Sequence, residues 1–255
     1  MKIATWNVNS LRVRLPQVLE WLRRTQADVL CLQETKVTDD DFPLAACRAA
    51  GYHVAYAGQK TYNGVATLSR APMEAVASAF PDYGDVQKRL LAVTIDDLRV
   101  LNVYVPNGQE VGSDKYAYKL DWLRALRRLI AVELKTHPKL ALLGDFNIAP
   151  EPGDVHDPQA WEGRVLFSEP ERTAFRALIG TGLVDVFRNF EQPEKSFSWW
   201  DYRAAAFRRN NGLRIDHILA SAALGARCRA CTIDVEPRRH EQPSDHAPVL
   251  AEFQV

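Results

Sequence analysis

The stretch LALLGDFN, residues 140–147, decides the fold of this chain. Its first four residues are apolar and predict a buried strand, and Gly144 permits close approach of backbone or ligand. Side chains alternate along a strand, so Asp145 and Asn147 share one face. An acid there can take a proton from water while the amide orients that water or a phosphate oxygen. The alternative is an Asx-turn that merely ends the strand.

Four other apolar runs also stop on short polar clusters. They end at Asn7 and Asn9, at Gln33-Glu34, at Asp216-His217 and at Asp245-His246. A buried carboxylate is unfavourable unless its charge is compensated, and a hard divalent cation held by oxygen ligands compensates it well. Five such endings predict one rim of acids, amides and an imidazole that performs metal-assisted chemistry on a phosphate.

The polar clusters near the N-terminus also have simpler interpretations. Glu34 is either a metal ligand or the salt-bridge partner of Lys36 or a nearby arginine, and the sequence leaves both open. Asn7 and Asn9 flank Val8, so they project from one face of a strand. They suit metal binding, but asparagine is also common at strand ends for turn reasons.

The imidazole of His246 needs a carboxylate to orient it, and Asp216 is the obvious supplier. Such a pair donates to a phosphate oxygen and stabilises charge there, although the simpler interpretation is a surface pair. His217 is expected on the opposite face from Asp216, in a structural or exposed position. Tyr104 ends another strand, where its phenol bonds a phosphate, acts as an acid or simply keeps a solvated hydroxyl.

Residues 196–215 form an arginine–aromatic strip. Aromatic rings between guanidinium groups suit stacking on bases or sugars beside phosphate clamps. The strip contains Phe197, Trp199, Trp200, Arg203, Tyr202, Phe207, Arg208, Arg209 and Arg214, and Arg12, Arg14, Lys36 and Lys60 extend it. The alternative is a set of solvated arginines over a packed aromatic core.

Composition limits the class of protein. The 255 residues are 47% hydrophobic and 25% charged with zero formal net charge, so bulk charge alone does not predict nucleic-acid binding. Four scattered cysteines predict reduced thiols in a cytoplasmic protein rather than a disulfide framework. The N-terminus lacks a signal-peptide core, and no apolar run approaches the ~20 residues of a membrane span, so we expect no membrane partner.

Apolar periodicity predicts many strands interrupted by few helices. The predicted strands are residues 2–8, 29–32, 52–57, 64–69, 90–95, 98–105, 140–143, 195–200, 213–220, 228–235 and 248–254. The predicted helices lie near 15–22, 43–50, 113–136 and 170–180, and the third is expected to bury Tyr116, Leu120, Leu123, Ile130 and Leu134. Residues 149–170 predict a long surface loop. This pattern indicates an α/β fold of two packed sheets with helices outside.

Seven segments occur in a characteristic order and spacing from the first residues to the last ten. They are WNVNSLR (6–12), LQETK (32–36), YNGVA (62–66), YVPNG (104–108), GDFN (144–147), LRID (213–216) and SDHAP (244–248). Together they resemble the exonuclease III family of abasic-site endonucleases. GDFN occurs across the wider endonuclease/exonuclease/phosphatase superfamily, whereas LQETK and WWDYR (199–203) narrow the resemblance to DNA repair members.

The resemblance implies a four-layer α/β/β/α sandwich, with helices outside two packed mixed sheets. It also implies a magnesium or manganese ion near Glu34, with Asn7 and Asp245 adjacent. Asp145 and Asn147 would then position and activate the attacking water.

The resemblance further implies that Asp216 holds His246 on the scissile phosphate, beside Tyr104 and Asn107. An apolar pocket would receive a flipped-out abasic sugar, which is easily extruded because no base is unstacked. That pocket would be lined by Trp199, Leu213 and Ile215. The full set of implied substrate-binding residues is Asn9, Arg12, Lys36, Tyr62, Asn107, Trp199, Arg203, Leu213 and Ile215. Some relatives carry a second Trp in place of Leu213, which leaves pocket selectivity open.

The implied reaction is hydrolysis of double-stranded DNA immediately 5′ to an abasic site, leaving a 3′-hydroxyl. The same centre would act on 3′ ends, removing nucleotides or phosphates. One alternative is a phosphoesterase for an inositol phosphate or lipid head group, which needs no arginine–aromatic strip. A DNA-binding module without activity is the other, and the complete acid, amide and imidazole set argues against it. We expect a monomer with one domain over residues 1–255.

Overall fold

Two six-stranded sheets form the centre of the part of the chain that the structure describes. A computed structural model describes residues 1–254. The strands are β1 (Lys2–Asn7), β2 (Val29–Gln33), β3 (His53–Ala57), β4 (Val65–Ser69), β5 (Glu74–Ala77), β6 (Leu90–Ile95), β7 (Leu98–Tyr104), β8 (Leu140–Asp145), β9 (Leu183–Asp185), β10 (Asp216–Ser221), β11 (Cys228–Ile233) and β12 (Val249–Phe253). One sheet has the order β11-β12-β1-β2-β4-β3, and the other has the order β5-β6-β7-β8-β10-β9.

Helices lie around the two sheets, and both outer faces are covered by helices. They are α1 (Leu11–Thr25), α2 (Leu44–Ala49), α3 (Asp114–Thr136), α4 (Pro158–Trp161), α5 (Glu169–Ile179), α6 (Ala206–Arg209) and α7 (Ala222–Gly225), with 3-10 turns at Pro152–Asp154, Val186–Asn189, Arg203–Ala205 and Glu236–Arg239. Trp21 of α1 shares an apolar cluster with Leu30 of β2, and Trp122 of α3 shares another with Leu142 of β8. Within residues 1–254, no helix combines the length and apolar character that a membrane span requires.

A third apolar cluster lies between the sheets. It joins Ile3 and Val29 of one sheet to Val100, Leu143 and Ile218 of the other. The layers therefore run helix, sheet, sheet, helix. The predicted four-layer sandwich is confirmed. Because both faces of each sheet are covered, the side chains that point to either face of a strand are buried.

The strand register brings the polar strand ends to one edge. β1 runs parallel to β2, with Asn7 opposite Gln33. In the other sheet β7 runs parallel to β8, with Tyr104 opposite Asp145. β10 is antiparallel to β8 and begins with Asp216 opposite Asp145. Residues that are more than a hundred positions apart in sequence are therefore neighbours at this edge.

A buried amide bridge joins the two sheets just below that edge. Gln33 Nε2 donates to Asn102 Oδ1 at 2.8 Å, and Asn102 Nδ2 donates to the carbonyls of Leu32 and Ala66 at 3.1 and 2.9 Å. A buried amide specifies one arrangement of its neighbours, because other arrangements leave it unpaired. The bridge therefore fixes how the two sheet edges face each other.

Gly144 lies opposite Val103 in the pairing of β7 with β8, with no room for a side chain. A Cβ atom there would be 1.9 Å from the carbonyl oxygen of Val103, and any separation under 3.0 Å forces a shift. The backbone φ of Gly144 is +153°, which side chains rarely adopt. The sequence-based expectation of a close approach at this glycine is confirmed.

We expect Gly144→Ala to lower the free energy of unfolding by about 3 kcal/mol or more, because a clash with backbone is not relieved by a rotamer change. Urea denaturation followed by circular dichroism measures the change. Gly153→Ala is the matched control, since a Cβ there meets nothing within 4 Å, and we expect it to change stability by less than ~0.5 kcal/mol. Equal stability of the two variants would contradict the clash.

Some sequence-based element predictions are wrong. Among the described residues, 195–200 form no strand, and Trp199 only makes isolated bridges to Leu213 and His246. β5 and β9 were not predicted, because both are short edge strands and β5 is exposed along its length. The buried face of α3 also differs from its prediction. Lys119 and Trp122 are buried, whereas Leu120 and Leu134 are only partly buried.

Residues 149–170 are only partly the surface loop that their composition predicts. They include a 3-10 turn and α4, and four of them enter an apolar cluster with Leu213: Ala149, Val155, Leu166 and Phe167. The prediction failed because these apolar residues are scattered among Pro, Gly and acidic residues, so they show no periodicity. The buried part of the segment begins at Ala149, two residues after Asn147.

Candidate active site

Two acids and an imidazole meet at the edge where the sheets face each other. Glu34 follows β2, Asp145 ends β8 and His246 precedes β12. One ligand atom from each lies within 4.8 Å of the others. Asn7 joins the acids, since its Nδ2 group donates to Glu34 Oε1 and to Asp145 Oδ2 at 2.9 Å each. Neighbouring carboxylates repel each other unless positive charge compensates them, so this cluster is a candidate site for a divalent cation.

Glu34 forms the salt bridge that its sequence left open, and its role as a metal ligand stays a prediction. Its Oε2 atom accepts a salt bridge from Lys36 Nζ at 2.9 Å, while its Oε1 atom faces Asn7. The φ angles of Glu34 and Lys36 are +51° and +55°. Non-glycine residues keep this left-handed conformation only where surrounding contacts enforce it. The backbone after β2 is therefore held in a shape that turns the Glu34 carboxylate into the cluster.

Asp145 and Asn147 form a hydrogen-bonded pair at the end of β8. The Asn147 backbone N–H donates to Asp145 Oδ1 at 2.9 Å, which is the Asx-turn of the alternative interpretation. Asn147 Nδ2 also donates to Val105 O at 3.0 Å and to Asp145 Oδ2 at 3.3 Å. Asn107 Nδ2 donates to Asn147 Oδ1 at 3.1 Å. The turn thus holds both side chains beside the cluster.

Burial raises the pKa of Asp145 to about 7, although the charge of His246 and the hydrogen bond from Asn7 oppose the rise. The side chain is 1% exposed, so water does little to stabilise its ionised form. A carboxyl group with this pKa exchanges a proton near neutral pH, as a general base must. A cation in the cluster would add positive charge and favour the carboxylate.

His246 is held by a carboxylate on the side away from the cluster. Its Nδ1 atom lies 2.9 Å from Asp216 Oδ2, and its Nε2 atom lies 3.7 Å from Asp145 Oδ2. Burial lowers the pKa of His246, but the charges of Asp216 and then Asp145 outweigh it and raise the pKa to about 10. The ring is therefore an imidazolium near neutral pH, with Nε2–H directed toward the acids.

Ser198 fixes the carboxylate that holds His246. Its Oγ donates to Asp216 Oδ2 at 2.7 Å and accepts from the backbone N–H groups of Ile215 and Asp216 at 3.1 Å each. These bonds leave Asp216 little freedom to turn away from the ring. The sequence-based analysis missed Ser198, because one serine among aromatic residues forms no recognisable pattern.

Asp245 has both carboxylate oxygens engaged outside the cluster. Asn9 Nδ2 donates to its Oδ1 at 2.9 Å and Trp199 Nε1 donates to its Oδ2 at 3.0 Å. Lys36 Nζ donates in turn to Asn9 Oδ1 at 2.5 Å. The Asn7 oxygen accepts from the Asn9 backbone N–H at 2.9 Å. Asp245 and Asn7 lie beside the cluster as expected, and their roles as metal ligands stay predictions.

Tyr104 lies between the cluster and an open cleft. Burial and then the charges of Glu34 and Asp145 hold the pKa of Tyr104 well above its usual value. The guanidinium of Arg89, which the sequence-based analysis missed, lies 4.7 Å from the centre of the Tyr104 ring. A phenol with a raised pKa keeps its proton, so Tyr104 is available as a hydrogen-bond donor.

The cleft beside Glu34 and Tyr104 has a volume of about 690 Å³. Tyr62 and Asn107, both predicted to contact substrate, line it together with Arg89. Tyr62 is 68% exposed, so its ring has a face available for stacking on a ligand. The structure thus brings these two predicted residues to the same opening.

Trp199, Leu213 and Ile215 pack together in the folded chain. They share one apolar cluster with Ala149, Val155, Leu166 and Phe167. Leu213 and Ile215 are buried, whereas Trp199 is partly exposed. The three residues of the predicted apolar lining are therefore brought together, but only Trp199 has exposed surface, and their contact with a sugar stays a prediction.

Several cations of the arginine–aromatic strip remain on the surface. Arg203 is exposed and forms a salt bridge with Asp201 at 2.9 Å. Arg12, on α1, is also exposed and lies 3.7 Å from Asp41. Exposed ion pairs of this kind contribute little to stability, so both guanidinium groups are available to an anionic ligand.

Arg214 contradicts its predicted place in that strip. Its side chain is 1% exposed, with Nε 2.7 Å from Asp154 Oδ1 and Nη2 2.8 Å from Asp185 Oδ2. Arg214 sits between Leu213 and Ile215, and side chains alternate along an extended segment. Its guanidinium therefore points away from the apolar lining and forms a buried ion-pair network instead of a phosphate clamp.

His217 is structural, as predicted. It is fully buried, and its Nε2 atom lies 2.8 Å from the Ile148 carbonyl oxygen. Burial, together with the charge of Arg214, lowers the pKa of His217 to about 4. A neutral imidazole on the far face of β10 takes no part in the cluster.

Comparison with known proteins covers nearly the whole chain. The sequence matches the Endonuclease/Exonuclease/phosphatase family over residues 4–246. The chain belongs to this family. Within it, the chain is 36% identical to exodeoxyribonuclease III of Haemophilus influenzae, over 99% of this chain and 100% of that protein.

Two solved structures have the same fold as this chain. The 3′ phosphatase NExo from Neisseria, bound to a product DNA hairpin, superposes with a TM-score of 0.98 and 46% identity. An AP endonuclease from Archaeoglobus fulgidus superposes with a TM-score of 0.95 and 40% identity. Both matches cover 100% of each chain. The resemblance deduced from the seven segments is confirmed.

Proposed function

We propose that this chain is a divalent-metal-dependent DNA repair nuclease that hydrolyses the phosphodiester 5′ to an abasic site and leaves a 3′-hydroxyl. The observation that carries the proposal is the cluster of Glu34, Asp145 and His246, whose ligand atoms lie within 4.8 Å of one another. Similarity to an exodeoxyribonuclease III and to an AP endonuclease supports DNA as the substrate. Similarity to a 3′ phosphatase supports additional activity on 3′ ends.

Asp145 takes the proton of the attacking water in this proposal, and Asn147 orients that water. The Asp145 carboxyl exchanges a proton near neutral pH, and its position is fixed by Asn7 and by the Asn147 backbone. The Asn147 amide is fixed by Val105. Groups that are already oriented need little reorganisation during the reaction, which lowers its barrier.

His246 and Tyr104 stabilise the charge that develops on the phosphate oxygens. His246 Nδ1 is committed to Asp216, so Nε2 is the nitrogen that faces the reacting group. A protonated ring offers no lone pair to a cation, so we assign His246 to the phosphate rather than to the metal. Tyr104, with Asn107 beside it, donates from the cleft side.

The residues of the cluster fit a hard divalent cation. Carboxylate oxygens, here from Glu34 and Asp145, are the ligands that magnesium and manganese prefer. We propose that Glu34 holds one of these ions, with Asn7 and Asp245 adjacent. When bound, the ion supplies positive charge that polarises the phosphate and favours ionisation of the attacking water.

DNA is proposed to lie across the edge, with an extruded abasic sugar against Trp199, Leu213 and Ile215. Stacking and phosphate contacts come from the other predicted residues, which are Asn9, Arg12, Lys36, Tyr62, Asn107 and Arg203. We further propose that one domain over residues 1–255 acts as a monomer in the cytoplasm. Size-exclusion chromatography with light scattering tests whether the protein is a monomer.

The decisive experiment is product analysis on a duplex that carries one abasic site and a labelled 5′ end. We expect cleavage 5′ to the lesion, and the product should be extended by a DNA polymerase because it ends in a 3′-hydroxyl. A chelator such as EDTA should abolish cleavage, and added magnesium or manganese should restore it.

Two outcomes would contradict the proposed reaction. Hydrolysis of a soluble phosphodiester without cleavage of abasic DNA would indicate the alternative phosphoesterase. DNA binding without any cleavage, unaffected by EDTA, would indicate a binding module. An intact duplex of the same sequence is the matched control, because it lacks the lesion and retains every phosphate contact.

A further inference from the structure

Lys119 and Glu171 form a fully buried ion pair behind the cluster. Lys119 lies on α3 and Glu171 on α5, both side chains are 0% exposed, and Nζ lies 2.5 Å from Oε1. Removing two charges from water has a penalty of several kcal/mol per ion, and apolar residues of similar volume are often as stable. Stability alone therefore does not explain a lysine in the buried stripe of α3.

Lys119 directs its remaining donors at the two amide residues of the site. Its Nζ donates to the carbonyl oxygen of Asn147 at 2.6 Å and to that of Asn107 at 3.1 Å. An ammonium group has three donors, so the bond to Glu171 completes the set. The side chains of Asn147 and Asn107 are themselves hydrogen-bonded. One ammonium therefore ties together the backbones of both loops that carry these amides.

Asn147 needs such a restraint. Its φ is +50°, a conformation that a non-glycine residue holds only where its neighbours over-determine it. The backbone N–H is fixed by Asp145 at 2.9 Å, and Lys119 fixes the carbonyl on the other side of the residue. Without the ammonium, the carbonyl would be held less firmly and the amide side chain would turn with it.

Glu171 extends the restraint to the apolar lining beside Trp199. Its Oε1 accepts from the Leu166 N–H at 3.0 Å, and its Oε2 accepts from Ser168 N–H at 3.1 Å and Ser168 Oγ at 2.5 Å. Leu166 has a φ of +76° and belongs to the apolar cluster that contains Leu213. Lys119 is thus bonded to the backbones of Asn107 and Asn147, and Glu171 is bonded to Leu166 in the apolar lining.

We propose that Lys119 is a positioning residue, which acts through Asn147 and Asn107 to keep the attacking water aligned with Asp145, and that Glu171 supplies its charge partner. The inference rests on the proposed function. Lys119 touches no reacting atom, so its effect falls on turnover rather than on substrate binding. Small misplacements of orienting groups have large effects on rate.

The test compares Lys119→Met with the double variant Lys119→Met/Glu171→Gln. The single variant leaves a buried unpaired carboxylate and should lose much stability. The double variant removes that charge, so its melting temperature should rise again. We expect kcat on abasic duplex DNA to stay roughly ten- to a hundred-fold below wild type in both variants, with KM changed less than about threefold.

The matched control is Arg99→Met/Glu133→Gln. This pair joins β7 to α3, the helix that carries Lys119, with Arg99 Nε 3.0 Å from Glu133 Oε2 and side chains 6% and 13% exposed. Neither residue contacts the amide pair. We expect this control to lose about as much melting temperature as the Lys119→Met/Glu171→Gln variant, with kcat unchanged. A second readout is hydrogen–deuterium exchange of residues 144–149, which should quicken in the Lys119 double variant and not in the control.

The outcomes separate this inference from the proposed function. Wild-type protein that does not cleave abasic DNA rejects the proposed function. Normal wild-type cleavage, with kcat of the Lys119→Met/Glu171→Gln variant within threefold of wild type, rejects only the positioning role. The positioning role is also rejected if the control variant shows the same fall in kcat at equal stability. The loss of activity would then result from lower folding stability alone.

Discussion

Asp145→Asn is expected to lower the rate of phosphodiester hydrolysis by about a thousandfold or more, because the amide cannot accept the proton of the attacking water. The substitution keeps the shape of the side chain and an acceptor for the Asn147 N–H, so DNA binding should persist. Single-turnover cleavage of an abasic duplex measures the rate, and filter binding measures affinity. Turnover near the wild-type rate would remove Asp145 from the mechanism.

The same variant should be more stable than wild type when metal is chelated. The folded-state pKa of Asp145 is about 7 against an ordinary value of 3.8, so ionisation of this carboxyl destabilises the folded chain. The penalty is absent below the ordinary value, grows as pH rises and is complete above about 7. We therefore expect Asp145→Asn to raise the melting temperature in EDTA at pH 8, with a smaller increase at pH 5.

Asp185→Asn is the matched control for this behaviour. Asp185 is also a buried acid, but the Arg214 guanidinium overcomes the effect of burial and lowers its pKa. Its ionised form therefore stabilises the fold at neutral pH, and that contribution is lost as pH falls. The control should lower the melting temperature at pH 8 and leave cleavage intact. The same sign of change in both variants would contradict the assigned cause.

The sequence predicts the fold well where strands are buried on both faces. Runs such as 29–32 and 140–143 are too apolar for any exposed element, and the polar residues that follow them mark the strand ends. β5 and β9 are not predictable in this way, because an edge strand with exposed side chains has the composition of a loop. The shifted stripe of α3 has a related cause, since a buried lysine interrupts the apolar pattern.

The site is predictable where one side chain follows directly from a strand end. Glu34 and Asp145 were identified on that basis, and His246 was identified just before the last predicted strand. The structure brings the three together. The charge of Arg214 was equally visible, but sequence does not show which face of an extended segment it occupies. Its partners Asp154 and Asp185 lie far away in sequence, so only the folded chain reveals that the group is buried.

The restraints behind the site are the least predictable part. Ser198, Arg89 and Lys119 act on groups that other elements supply. The Lys119–Glu171 contact, for example, spans 52 positions between two helices. No local spacing encodes such a contact. Sequence reasoning therefore finds the groups that are proposed to meet substrate more readily than the groups that hold them in place.

His246→Ala is expected to lower the cleavage rate about a hundred- to a thousandfold with little change in DNA affinity. In the proposed mechanism the imidazolium donates to a phosphate oxygen whose negative charge grows in the transition state, and loss of such a donor acts mainly on rate. Single-turnover kinetics and binding measured in parallel separate the two effects. His217→Gln is the control, since His217 is buried on the opposite face of β10 and bonds only the Ile148 carbonyl.

Asp216→Asn tests whether charge or orientation makes His246 effective. Asp216 is the main cause that raises the pKa of His246 to about 10, so the wild-type imidazolium persists across neutral pH. An asparagine keeps an oxygen near Nδ1 and an acceptor for Ser198 but removes the charge, and the pKa of His246 then falls toward its ordinary 6.5. The variant should therefore lose activity as pH rises from 6 to 8, whereas wild type does not. If the pH profiles of the variant and wild type were parallel, Asp216 would only orient the ring. The charge of Asp145 alone would then keep His246 protonated.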